Sequence, residues 1–149
     1  MRLMIREAYH EKLDRLTQDV EKMALLVIER LDLALAALSD PNGIPATDAQ
    51  RERFDSEDDI IDERCLALEK ESVELLALQQ PVAVDLRVIV AAFKIASDLE
   101  RVGDLLLNLL EYSQALQSPQ LFLTDDLVKV GGVAKEMLAD AVRSFITRD

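Results

Sequence analysis

The stretch from Leu13 to Leu38, LDRLTQDVEKMALLVIERLDLALAAL, decides the fold class. Leu13, Leu16, Val20, Met23, Val27, Leu31, Leu35 and Leu38 recur every three or four residues, which puts them on one face of a helix. A helix over 6–39, about 34 residues at about 1.5 Å each, is a rod of roughly 50 Å. Rods of that length joined by short connections pack as an antiparallel bundle.

Outward from this stretch, all four prolines fall at three breaks: Pro41 and Pro45 in PNGIP, then Pro81, then Pro119. Proline removes a backbone donor and clashes with the preceding turn, so it marks helix starts and loops. The breaks predict three more helices, over 48–79, 81–117 and 125–147. Thr47-Asp48-Ala49-Gln50 reads as a capping box for the second. Pro81 opens the third, and Thr124-Asp125-Asp126 suits the positive end of the fourth. The fourth carries the stripe Leu127, Val130, Ala134, Leu138, Ala141 and Phe145, and Gly131-Gly132 predicts a bend or opening within it. No strand pattern appears. The expected fold is all-α: a long antiparallel three-helix bundle over 6–117, then a linker and fourth helix over 118–149.

Composition narrows the function classes. A chain of 149 residues is one domain by default, with enough length for a real core. Its 17 basic and 29 acidic residues give a net charge of −12. Such a chain is repelled by phosphate backbones and anionic lipid, so nucleic acid is not an expected partner. One cysteine rules out an internal disulfide and a cysteine zinc cluster, and fits a reducing compartment. The longest uncharged run, Tyr112 to Thr124, is 13 residues and contains Pro119, too short for a membrane span. Met1 to Glu7 has no long apolar segment, so no signal peptide is expected.

The informative residues are acids where apolar residues belong. On the second helix the apolar stripe is Phe54, Ile61, Cys65, Leu68 and Leu75; Asp58 lies inside it and Asp62 at its edge. On the third helix the stripe Leu86, Ile89, Phe93, Ala96 runs on into Glu100 and Asp104. A buried unpaired carboxylate is costly, and like charges at i, i+4 repel. Four carboxylates converging from facing helices would supply most of the oxygen shell of a hard cation. The ordinary alternative is that Arg87 and Arg101 neutralise Glu100 and Asp104, just as Asp55 and Asp59 read as a solvated pair. Spacing alone leaves both open.

Other features carry less. Glu7-Ala8-Tyr9-His10 has the Glu-x-x-His form, but a di-iron bundle needs two such motifs and this chain has one histidine. Cys65 reads as a small core residue. Gly103, costly in a helix, marks either a packing notch or close approach of a backbone or ion. No glycine-rich phosphate loop, Ser-His-Asp set or basic cradle for phosphate is present.

Gln80-Pro81-Val82-Ala83-Val84-Asp85-Leu86-Arg87, followed by Asp98-Leu99-Glu100-Arg101-Val102-Gly103-Asp104, resembles the PhoU family of phosphate-uptake regulators. That family's repeat has a QP-x-A-x-DLR start and an LER-[IV]-GD motif on its third helix. Its second helix carries an acid-xxx-Asp motif ending in ID, matched here by Asp58 to Asp62. The resemblance covers roughly residues 6–117 and rests on both helix motifs occurring together.

The resemblance implies an all-helical protein built from two similar three-helix bundles, of which helix four begins the second. It implies metal ligands at Asp58, Asp62, Glu100 and Asp104, with iron or zinc the first candidates and magnesium or manganese also admissible. Pro81, Asp85, Leu86, Arg87, Arg101 and Gly103 are then motif residues with a structural or partner role. It further implies a cytoplasmic regulator rather than an enzyme. Its partners would be the ATPase subunit of the phosphate transporter and a sensor histidine kinase. The competing class is a metal-dependent enzyme or oxidase on a carboxylate-rich bundle. No second acid-xxx-Asp helix or second ERxGD follows within the sequence. Helix four therefore either returns onto the bundle or pairs with a second chain, and a homodimer is the favoured expectation.

Overall fold

A computed structural model describes residues 2–38, 48–79, 81, 83–115 and 124–148. Four helices hold nearly all of them: α1 (Arg2–Leu38), α2 (Asp48–Gln79), α3 (Val84–Ala115) and α4 (Thr124–Thr147). No strand occurs among the described residues, and the fold is all-α as expected. Thr47, Pro41, Pro45 and the link around Pro119 lie outside them.

One helix start is displaced. Pro81 stands outside α3, half-buried, and the helix begins at Val84. Ala83 takes a φ of 45°, and its carbonyl accepts the Arg87 N–H at 3.2 Å. A left-handed residue cannot continue a right-handed helix, so the turn at Ala83 sets the boundary that Pro81 alone does not.

The core follows an alternation of three and four residues on each of the first three helices. On α1 it runs Tyr9, Leu13, Leu16, Val20, Met23, Val27, Arg30 and Ala34, with Ala24 and Leu31 also buried beside it. On α2 the same alternation runs Phe54, Asp58, Ile61, Cys65, Leu68, Ser72 and Leu75, all buried except Asp58, which is half-buried. On α3 it runs Ile89, Ala92, Ala96, Leu99, Gly103, Leu106 and Leu110. This is the seam pattern of helices packed side by side. Helices consecutive in the chain run antiparallel: Arg30 meets Asp58 while Asp19 lines a cleft with Arg64 and Glu71, and Asp62 meets Asp104 while Glu69 shares a cleft with Ser97.

Two apolar stripes sit differently from expectation. Leu86 and Phe93 are 41% and 39% exposed, because the α3 core face is rotated toward Val88, Ile89 and Ala92. On α4 the buried side is Val142, with Leu138, Phe145 and Ile146 partly buried against the core. Leu127, Val130, Val133 and Met137 stay exposed. The α4 helix returns onto α1, where Lys135 Nζ lies 2.6 Å from Asp32 Oδ2. It runs unbroken through Gly131 and Gly132, so the helix does not open there. Gly131 instead admits Leu35 of α1.

Candidate metal centre

The seam alternation separates the four acids. Asp58 occupies a core position of α2 and looks toward α1. Asp62, Glu100 and Asp104 each follow a core residue by one position: Ile61, Leu99 and Gly103. That shift puts them on the shoulders of α2 and α3, where the antiparallel helices flank an open groove. Their carboxylate oxygens come within 4.8 Å of one another. Asp62 and Asp104 are exposed and Glu100 is half-buried. Beside them a Cβ on Gly103 would meet Ile61 at ordinary contact distance, 3.4 Å from Cδ1 and 3.5 Å from Cγ2, so an alanine would fit and the glycine is not required as a packing notch.

Asp58 is drawn away from the three. Its Oδ1 lies 2.8 Å from Nη1 of Arg30, whose side chain is wholly buried. The same guanidinium carbon sits 5.1 Å from the ring centre of Phe54, a cation–π contact. Arg30 was not evident in the apolar stripe as read through Leu31. The signal was present, because strict alternation from Leu13 through Val27 lands on residue 30 rather than 31.

Among the described residues no ion pair joins Asp62, Glu100 or Asp104 to a lysine or arginine, and Arg87 and Arg101 are exposed. Burial, then the charges of Asp104, Asp62, Asp58 and Glu69, push the Glu100 pKa above the usual carboxylate range. At Asp58 burial raises the pKa, Arg30 opposes it, and Asp104 and Asp62 add to the rise. An open cleft of about 290 Å³ continues the site along Cys65, Leu66, Glu69 and Ser97. Burial and the charges of Glu69, Glu100 and Asp62 push the Cys65 thiol up to about 11, which keeps it protonated and inert at neutral pH. Glu69 extends the acidic lining beyond the sequence motifs.

An all-oxygen donor set with uncompensated negative charge suits a hard cation, and the residues present fit that group. At the helical phase of Glu100 and Ser97, Leu86, Val90 and Phe93 of α3 are exposed, as is Val73 at the phase of Asp62 on α2. Among the other motif residues, Asp85 stands in the first turn of α3 beside Tyr9, where burial and then the Asp85 charge raise the phenol pKa.

A groove of carboxylates on adjacent helices of an all-α bundle defines a class of acidic helical-bundle proteins. The chain belongs to the PhoU family: residues 20–113 match the PhoU domain, a span that includes Asp58, Asp62, Glu100 and Asp104. It is 37% identical over 140 residues to the phosphate-specific transport system accessory protein PhoU homolog of Aquifex aeolicus, covering 93% of this chain and 61% of that protein. It is 31% identical over 143 residues to the PhoU homolog 1 of Thermotoga maritima, covering 95% of this chain and 60% of that protein. A further PhoU homolog 1, from Methanothermobacter thermautotrophicus, is 26% identical over 143 residues, covering 95% of this chain and 63% of that protein. The chain thus spans about 60% of the length of these curated relatives.

Proposed function

We propose that this chain regulates phosphate uptake by binding, not by catalysis, as an accessory component of a phosphate-specific transport system. The observation that carries the reading is the PhoU domain match over 20–113, with relatives named for that transport system. Its partners are the ATPase subunit of the phosphate transporter and a sensor histidine kinase, met in the cytoplasm. No helix among the described residues is long and apolar enough to cross a membrane, which agrees with docking from outside the bilayer. The exposed Leu86, Val90 and Phe93 offer an apolar contact at the helical phase of Glu100 on α3, and the negative charge favours basic patches on the partner.

The cofactor is one cation on Asp62, Glu100 and Asp104, with iron or zinc the first candidates and manganese or magnesium also compatible with oxygen donors. Bound metal would neutralise charge that no lysine or arginine among the described residues offsets. Elemental analysis of protein purified without chelator tests this. Equal metal in wild type and the Asp62→Asn, Asp104→Asn double variant would remove the site. Affinity capture from cytoplasmic extract, read by mass spectrometry, tests the regulatory role, and recovery of the transporter ATPase is the expected result. Turnover of a phosphoester or peroxide by the metal-loaded chain would favour an enzyme instead.

A further inference from the structure

The family motif counts Asp58 with the other acids, but the seam assigns it elsewhere. Arg30 and Asp58 occupy core positions on facing helices, and the guanidinium is wholly buried. Its nitrogens make no hydrogen bond of good geometry among the described residues, so the nearby carboxylate and the Phe54 ring are its compensation. A charge held in so apolar a place keeps a strong hold on a counter-ion. The oxygens of Asp62, Glu100 and Asp104 gather within 4.8 Å without Asp58.

We propose that Arg30 is a positioning residue that withholds Asp58 from the cation, leaving a centre of three carboxylates for one ion. This rests on reading Asp62, Glu100 and Asp104 as a cation site. Arg30 and Asp58 together carry no net charge, so removing both leaves the field at the other three acids nearly unchanged. Removing Arg30 alone frees a fourth carboxylate at the edge of the site.

The test is Mn²⁺ titration of the full chain, followed by calorimetry and by the electron paramagnetic resonance spectrum of the bound ion. The Arg30→Met, Asp58→Leu double variant is expected to keep the wild-type affinity, spectrum and one-ion stoichiometry. Arg30→Met alone is expected to bind Mn²⁺ about tenfold more tightly, with a changed spectrum, because a fourth carboxylate oxygen donor becomes available to the ion. Arg30→Lys, which keeps a cation for Asp58, should stay at the wild-type affinity. If the double variant loses affinity as steeply as Asp62→Asn does, Asp58 is a ligand and the proposal falls while the site stands. If neither wild type nor Arg30→Met binds Mn²⁺, the site and the proposal fall together. Should Arg30→Met fail to fold, Asp58→Asn decides in its place: a loss matching that of Asp62→Asn overturns the proposal, and a much smaller loss supports it.

Discussion

Leu35 on α1 fills the space that a Cβ on residue 131 of α4 would take. Its Cγ lies 3.2 Å from that point and its Cδ1 3.1 Å, both closer than ordinary carbon contacts. One position on, a Cβ at residue 132 would meet nothing within 4 Å. The two adjacent glycines therefore have opposite meanings, although both weaken the helix equally.

Alanine at each separates packing from propensity. Replacing glycine by alanine inside a helix returns about 1 kcal/mol. Gly132→Ala is expected to deliver that gain. Gly131→Ala receives the same gain but must displace Leu35, and overpacking costs about 1–3 kcal/mol. Urea midpoints should rise for Gly132→Ala and fall, or at best hold, for Gly131→Ala. A rise of equal size in both would mean that α4 does not rest on α1 at this point.

Glu100 sets a pH dependence in the metal-free chain. Its folded pKa is raised, chiefly by burial and then by Asp104. The folded state thus holds that proton more tightly than the unfolded one. The stability it contributes is complete below the ordinary glutamate value of about 4.3 and is lost as pH rises through the raised folded value. Thermal midpoints in chelator should be higher near pH 5 than near pH 7, and Glu100→Gln should flatten that slope. Asp104→Asn relieves the i, i+4 repulsion and should raise the neutral-pH stability by about 0.2–0.5 kcal/mol. A steeper slope in Glu100→Gln than in wild type would reverse the assignment.

What the sequence made legible, and what it hid, follows from the helical repeat. The apolar period of α1 and the proline breaks were enough for four helices, because a rod with one apolar face has few ways to bury it. Asp62 was legible as an acid at the edge of the α2 stripe, whereas Glu100 and Asp104 read as continuing the α3 stripe and in the structure stand one position off the buried Leu99 and Gly103. The partition among the four acids was not, because a helical wheel places a residue only within a broad sector. Asp58 at the stripe and Asp62 at its edge differ by one seam position, and that step decides whether a carboxylate faces α1 or the groove. The turn at Ala83 was hidden for a different reason. Pro81 gives a good start signal, but nothing in the local residue types demands a positive φ at an alanine.

The Arg30–Asp58 pair makes a stability prediction independent of any metal. Removing one partner of a buried pair typically costs about 3–5 kcal/mol, since the other charge is left uncompensated. Asp58 is 20% exposed at its side chain, so water relieves part of that cost and the lower end is expected for Arg30→Met. The Arg30→Met, Asp58→Leu double variant should recover most of the loss, because apolar groups of similar size fill the same seam. Denaturant unfolding of the wild type, both single variants and the double closes the cycle. Losses that simply add would show that the two residues do not interact.

Leu127, Val130, Val133 and Met137 share one side of α4 and remain exposed after that helix has packed against α1. A return onto the bundle therefore buries Val142 and its neighbours but leaves a second apolar face uncovered. Contiguous exposed apolar surface on one helix marks a contact site. A second copy of the chain can cover it by placing the same face of its own α4 against this one, the self-complementary arrangement of a two-fold dimer. The expected homodimer then depends on the outer face of α4 alone. Val130→Glu and Met137→Glu are both 67–68% exposed positions, so neither should lower the stability of the bundle itself by more than about 0.5 kcal/mol. Sedimentation at micromolar concentration should give a dimer for the wild type and a shift toward the single-chain mass for the double variant. A wild type that sediments as a single chain at every concentration would end the dimer reading. A dimer that survives both substitutions would move the contact to another face, with the open groove between α2 and α3 next in order.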